Sequence, residues 1–115
     1  MKEVYLPKET LANAMTWAVA RFGEITRQEK IMETTTLLQF ARDVSVIVTE
    51  GVEDQDMLSV CTTSDRFDSD RSLAADLHQF TGGRVIFDDG TINPYTWLCL
   101  DQDGTRAITW SDEKE

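Results

Sequence analysis

The sequence predicts an α+β fold, in which an antiparallel sheet of about five strands carries two or three helices packed on one face. Apolar residues recur at helical spacing before residue 23 and around residue 75, and short β-branched runs between turn residues occupy much of the rest. The chain has 115 residues, 41% of them hydrophobic and 28% charged, a composition typical of one globular domain. We therefore expect residues 1–115 to form a single domain with a short acidic C-terminal tail.

The first helix is predicted from Pro7 to Phe22. Its apolar residues recur every three or four positions, at Leu11, Met15, Ala18 and Phe22. Proline suits the first helical turn, and Gly23 suits the left-handed residue that follows a helix. Trp17 borders the apolar stripe, so we expect it to lie in the core.

Residues 31–40 allow two interpretations. Thr26 and Glu29 have the spacing of a capping box, which favours a second helix from Arg27 to Arg42. The run Thr34–Thr36 argues against it, because β-branched residues favour strands. The alternative is a helix of one or two turns followed by a strand through Phe40.

The middle of the chain predicts a hairpin and then a helix. The run from Val44 to Thr49 and the run from Met57 to Thr63 are short and apolar, and a polar acidic connection separates them. A helix from Arg71 to Thr81 is expected next, with Asp70 as its N-cap and Gly82 after its last turn.

An antiparallel meander is predicted for the last third, because Asp-Gly pairs separate short apolar runs. If Asp103 and Gly104 form a two-residue turn, the expected cross-strand pairs are Trp97 with Trp110, Cys99 with Ile108, and Asp101 with Arg106. The core is expected to contain Leu11, Met15, Phe22, Val46, Val48, Leu58, Val60, Leu73, Leu77, Phe80, Ile86, Leu98 and Leu100.

The formal charge of −10 is distributed unevenly along the chain. Residues 1–49 contain six acids and six bases, whereas residues 50–115 contain fifteen acids and five bases. An acidic stretch of this kind is either a solvated surface or a recognition surface. In the second case we expect the contact to involve Glu50, Glu53, Asp54, Asp56, Asp65, Asp68 and Asp70, which occupy the two loops flanking one predicted strand.

No motif in the sequence indicates catalysis, a cofactor or a metal. His78 lies off the apolar stripe of its predicted helix, and Cys61 and Cys99 are expected to be buried free thiols. Asp65 and Asp101 each begin an acidic run that partly matches a calcium-binding loop. In the run from Asp65, Phe67 and Ser69 occupy ligand positions and the sixth position has no glycine. The run from Asp101 has no carboxylate at the position of the bidentate ligand. Turns and helix caps explain these aspartates better, so we expect no catalytic residue, no cofactor and no bound metal.

These observations favour a small acidic protein-binding module that is not an enzyme. It would act as an antagonist of a basic nucleic-acid-acting protein, as immunity, anti-defence or nucleic-acid-mimic proteins do, because a surface built for phosphates attracts carboxylates. One alternative is a homodimeric structural or regulatory module. Another is a small enzyme or ligand-binding protein with a pocket near Trp97 and Trp110.

The expected partner is a protein with a basic surface. The net charge argues against direct contact with nucleic acid or an anionic membrane. The N-terminus lacks the apolar run of a signal peptide, so we expect a cytoplasmic protein.

Overall fold

The computed structural model describes residues 1–52, 56–88 and 97–108, which contain two α-helices and eight strands in one antiparallel sheet. The helices are α1 (Leu11–Phe22) and α2 (Asp70–Thr81). The strands are β1 (Lys2–Pro7), β2 (Arg27–Met32), β3 (Thr35–Gln39), β4 (Ser45–Val52), β5 (Met57–Thr62), β6 (Val85–Asp88), β7 (Trp97–Asp101) and β8 (Gly104–Ile108). The α+β class is confirmed, but the predicted number of about five strands is too small.

The strand order is β2-β3-β4-β5-β1-β6-β7-β8. Among the described residues, the order one strand, one helix and three strands occurs twice along the chain, and we call each occurrence a passage. The first strands of these two passages, β1 and β5, lie side by side at the centre of the sheet. Each meander then pairs with the first strand of the other passage, as β4 does with β5 and β6 with β1.

Strand β1 was not predicted. Its residues alternate between the two faces of the sheet, so that Val4 and Leu6 are fully buried while Glu3 and Tyr5 point to the opposite face. The strand pairs with β5 over its whole length, from Lys2 opposite Thr62 to Pro7 opposite Met57. It is therefore a central strand, although its sequence is charged at one end and closes on a proline.

The predicted helix from Arg27 to Arg42 is wrong, and the segment forms the β2–β3 hairpin. Leu38 is fully buried in β3 and packs in the main core, whereas every residue of β2 is exposed. The side chain of Thr26 donates to the carbonyl of Gln39 instead of capping a helix. Residues 27–30 are good helix formers, but pairing with β3 satisfies their backbone and overrides that preference.

The other helices and the central hairpin agree with the predictions apart from their ends. A short 3-10 turn (Lys8–Thr10) precedes α1, and Gly23 follows it at φ 93°. The N-cap of α2 is Ser69 rather than Asp70, because Ser69 and Ser72 bond reciprocally in a capping box. Gly82 adopts the predicted left-handed conformation after that helix.

The register predicted for the last hairpin is wrong by two residues. Trp97 lies opposite Ile108, and Cys99 lies opposite Arg106. Asp101 pairs with Gly104, so the turn residues are 102 and 103. The expected ion pair forms nevertheless, as a diagonal contact of 3.5 Å between Arg106 and Asp101. Trp110 and the acidic tail lie outside the described residues.

The main core lies between the helices and one face of the sheet. Trp17 is fully buried in this core. The centroid of its ring lies 5.7 Å from that of Phe22 and 6.0 Å from that of Phe67. Of the predicted core residues, Val46, Val48, Leu58, Val60, Leu73, Leu77 and Ile86 are buried, and Leu11, Met15, Phe22, Leu98 and Leu100 are partly buried. Phe80 was wrongly placed in the core, because it is 37% exposed.

The opposite face of the sheet has a smaller apolar cluster. Met57, Ile86, Cys99 and Ile108 are buried there, with Tyr5 and Trp97 packed against them. The rings of Tyr5 and Trp97 pack edge to face, with their centroids 5.4 Å apart. In the described residues, neither helix has the length and hydropathy needed to cross a membrane.

Candidate functional site

The predicted acidic residues lie at two opposite ends of β5. Glu50 and Asp56 are at the end where β4 and β5 join, which we call the hairpin end. Asp65, Asp68 and Asp70 follow the other end of the strand, which we call the loop end. Six residues of extended strand place these ends about 17 Å apart, so the structure forms two acidic regions rather than one. Glu53 and Asp54 lie outside the described residues.

Four of these carboxylates have no partner among the described residues. Glu50 and Asp56 at the hairpin end are exposed, as are Asp65 and Asp68 at the loop end. None of the four side chains makes a hydrogen bond or an ion pair with a described residue. Their side chains therefore make no specific polar contact within the part of the chain that the structure describes.

Asp70 differs from the other four because it has a structural role. It is half-buried in the first turn of α2, and its Oδ1 accepts a hydrogen bond of 3.0 Å from the backbone N–H of Glu3. This contact joins the start of α2 to the start of β1. Replacing Asp70 would therefore disturb the fold as well as the surface charge.

The two arginines that adjoin the loop end in the sequence, Arg66 and Arg71, contact groups other than its carboxylates. The guanidinium of Arg66 donates to the carbonyl of Arg21 at the end of α1, at 2.9 Å. The guanidinium of Arg71 lies 5.4 Å from the centre of the Phe87 ring. Neither guanidinium forms an ion pair with Asp65 or Asp68 among the described residues, so the two carboxylates are not neutralised by these cations.

The central strands carry a polar cluster that sequence reasoning missed. The carboxylate of Glu3 accepts hydrogen bonds from Ser59 at 2.7 Å, from Cys61 at 3.1 Å and from Tyr5 at 3.2 Å. These residues belong to β1 and β5 and share the face of the sheet opposite the helices. The only sequence signal is the alternation of polar and apolar residues along both strands.

Cys61 is not an activated nucleophile. Burial, the hydrogen bond to Glu3 and the negative charge of that carboxylate raise the pKa of the thiol to about 12, so the reactive thiolate is scarce at neutral pH. The ring of His78 contacts the carbonyl of Gly83 at 2.6 Å beyond the end of α2, on the opposite side of the sheet. The two side chains therefore do not form a cysteine–histidine pair.

The two cysteines are free thiols, with Cys99 buried and Cys61 half-buried. They lie on β7 and β5, three strand spacings apart, or about 14 Å. That separation exceeds the span of a disulfide. Within residues 1–52, 56–88 and 97–108, no three His, Cys, Asp or Glu side chains form a group able to hold a metal ion.

No known protein family, curated protein or solved structure matches this chain. Trp110, one of the two residues expected near the alternative pocket, falls outside the described residues. The other, Trp97, packs against Tyr5 in the smaller apolar cluster.

A second surface that the acidic pattern did not indicate lies along α1. Met15, Thr16, Val19, Ala20 and Ile25 line a shallow groove of about 420 Å³. The sequence signal for this surface is the scarcity of charge in α1, where Arg21 is the one charged residue among twelve.

Proposed function

We propose that this protein is a non-catalytic binding module whose acidic ends engage a basic surface of another protein. The observation that carries the proposal is a set of four exposed carboxylates that have no partner among residues 1–52, 56–88 and 97–108. They are Glu50, Asp56, Asp65 and Asp68. A partner built to hold nucleic acid would present such a basic surface. Its occupation by carboxylates would exclude the phosphates of its substrate.

The electrostatics of the molecule support this proposal. Like-charged carboxylates repel one another, so an unpaired acidic surface brings no gain in folding stability. The same carboxylates accelerate encounter with a basic surface, because complementary charges steer diffusing molecules together. The loop end supports this role further, since Arg66 and Arg71 contact the carbonyl of Arg21 and the ring of Phe87 instead of its carboxylates.

The polar groups of the sheet are consistent with a role without catalysis. The thiol of Cys61 stays protonated at neutral pH, because its pKa is about 12. The carboxylate of Glu3 is engaged by three donors from the same face. These contacts hold β1 and β5 together across the centre of the sheet.

The test begins with capture of partners from a lysate of the native host at low ionic strength, followed by identification of the retained protein. Association rates are then measured between the purified pair in about 50 and about 300 mM NaCl, where screening differs strongly. Three double variants carry the same change of charge. They are Glu50→Lys with Asp56→Lys at the hairpin end, Asp65→Lys with Asp68→Lys at the loop end, and Glu9→Lys with Glu24→Lys as the matched control in the neutral half.

We expect association to slow by at least tenfold at the higher salt concentration, and one acidic double variant to slow it by a similar factor. The control variant should change the rate by less than twofold. The end whose variant has the larger effect is the contact. Equal rates at both salt concentrations, or an effect of the control as large as that of both acidic variants, would overturn the proposal.

A further inference from the structure

The exposed face of α1 is uncharged in a protein of net charge −10. The residues that point to solvent are Ala12, Asn13, Thr16, Val19 and Ala20. Arg21, the one charged residue of this helix, turns inward and pairs with Asp76 of α2 at 2.6 Å. A helix surface of a soluble protein ordinarily carries charged residues, so this face departs from the usual pattern.

This face also has an apolar groove. Val19 is 43% exposed, and Met15 and Ile25 lie beside it in the groove of about 420 Å³. Phe80, another exposed apolar residue, differs because the guanidinium of Arg21 lies 5.3 Å from the centre of its ring.

We propose that α1 is the contact surface of a homodimer, in which the same helix of a second copy packs across a two-fold axis. The charge distribution selects this occupant. Two chains of charge −10 repel each other wherever their acidic ends approach, whereas two copies of α1 meet without placing like charges together. A basic partner would be attracted to the acidic ends, so this contact is independent of the proposed function.

The shape of the helix suits self-packing. Ala12, Thr16 and Ala20 are small and four residues apart, and they form one ridge along the exposed face. Such ridges pack into each other's grooves at a crossing angle of about −50°. In an antiparallel crossing centred on Thr16, Val19 of each copy then meets the start of the partner helix.

The size of the helix limits the strength of the dimer. A helix of twelve residues is about 18 Å long and about 10 Å wide, so each copy buries a few hundred Å². A stable complex buries roughly 800 Å² on each partner. The dimer is therefore weak and transient. It should form at protein concentrations of about 10 µM to 1 mM, the range of dissociation constants that corresponds to weak association.

Sedimentation velocity over that concentration range tests the inference. The expected result is a dimer whose association strengthens at least threefold as NaCl is raised from about 50 to about 500 mM, because salt screens the repulsion between the acidic copies. Binding of a basic partner has the opposite salt dependence. Failure of one proposal can thus be told apart from failure of the other.

Two matched variants locate the contact. Thr16→Arg places a cation at the centre of the α1 face, and Gln79→Arg makes the same change on the exposed face of α2. Both lower the net negative charge, so a contact elsewhere would be strengthened by both. We expect Thr16→Arg to weaken dimerisation at least tenfold, whereas Gln79→Arg should leave it unchanged or strengthen it.

Val19→Glu provides a second disruption within the same groove, and thermal unfolding followed by circular dichroism checks that each variant is folded. A chain that stays monomeric at about 1 mM protein in about 500 mM NaCl would overturn the inference. So would a dimer that survives both α1 variants, since its contact would then lie elsewhere.

Discussion

Asp76 joins the two helices through one oxygen atom. Its Oδ2 accepts a hydrogen bond of 2.7 Å from the indole N–H of Trp17 and one of 2.6 Å from Nε of Arg21. Trp17 is fully buried at the centre of the main core. The contact therefore satisfies a polar group that would otherwise be buried without a partner.

Asp76→Ala should lower the free energy of unfolding by about 1–3 kcal/mol, because it leaves the indole N–H of Trp17 unpaired. Urea unfolding at pH 7 measures the change. Asp68→Ala is the matched control, since Asp68 is exposed and unpaired, and it should alter the free energy by less than about 0.5 kcal/mol. Equal losses in the two variants would contradict this role for Asp76.

The same carboxylate should contribute to the acid dependence of stability. Burial acts to raise the pKa of Asp76, but the hydrogen bonds from Arg21 and Trp17 outweigh it and hold the pKa below the usual 3.8. The stabilisation is therefore present above the unfolded-state pKa and is lost as pH falls through the lower folded-state pKa. Comparison with Asp76→Asn between pH 6 and about pH 2 should show a smaller acid-induced loss in the variant.

Cys61 should react slowly with an alkylating reagent while the protein is folded. Because its pKa is about 12 instead of 9.0, the folded protein holds far less thiolate at pH 8. We expect alkylation by iodoacetamide to be at least 100-fold slower than in urea, as followed by peptide mass spectrometry. Glu3→Gln should speed the reaction in the folded protein. A reaction equally fast in both states would contradict the pKa.

At the scale of elements, the β3–β4 turn is built from residues that do not favour its geometry. Arg42 and Asp43 both have left-handed backbone conformations, with φ of 62° and 59°. Hairpin turns of this kind favour Asn-Gly, because glycine adopts positive φ without steric cost. The surrounding pairing of Gln39 with Ser45 holds the turn in place.

Arg42→Asn combined with Asp43→Gly should therefore raise the free energy of unfolding by about 1 kcal/mol. Urea unfolding at pH 7 measures the gain. Ala41→Gly is the control in the same turn, because Ala41 does not have a positive φ and its replacement adds only flexibility to the unfolded chain. A gain in that control as large as in the double variant would contradict the explanation.

At the scale of the whole molecule, the acidic excess should make thermal stability depend on salt. The charge of −10 at pH 7 favours expansion of the chain through self-repulsion. We expect the unfolding temperature to rise by a few degrees between about 10 and about 300 mM NaCl at pH 7. Near the isoelectric point of about 4.4 the dependence should nearly vanish. Calorimetry at both pH values measures it, and an equal rise at both would contradict the electrostatic cause.

The candidate site was only partly predictable. The charges of Glu50, Asp56, Asp65 and Asp68 follow directly from the sequence. The predicted loop position is wrong for Glu50, which lies within β4 opposite Leu58, whereas the three aspartates lie outside the strands. Their separation into two ends depends on β5 being a straight strand, and the absence of partners depends on where neighbouring cations point. Arg66, for example, bonds to the carbonyl of Arg21, which is 45 residues away in the chain.

The sequence by itself determined the α+β class, the β4–β5 hairpin, α2 and the uneven distribution of charge. These properties are local, because alternation, helical periodicity, turn residues and charge are each contained within a few neighbouring positions. The tertiary structure alone decided the central place of β1, the conversion of residues 27–32 to an edge strand and the strand order. These depend on pairing between distant segments, and such pairing overrides local propensity because it satisfies the backbone and buries Val4, Leu6 and Leu38 together.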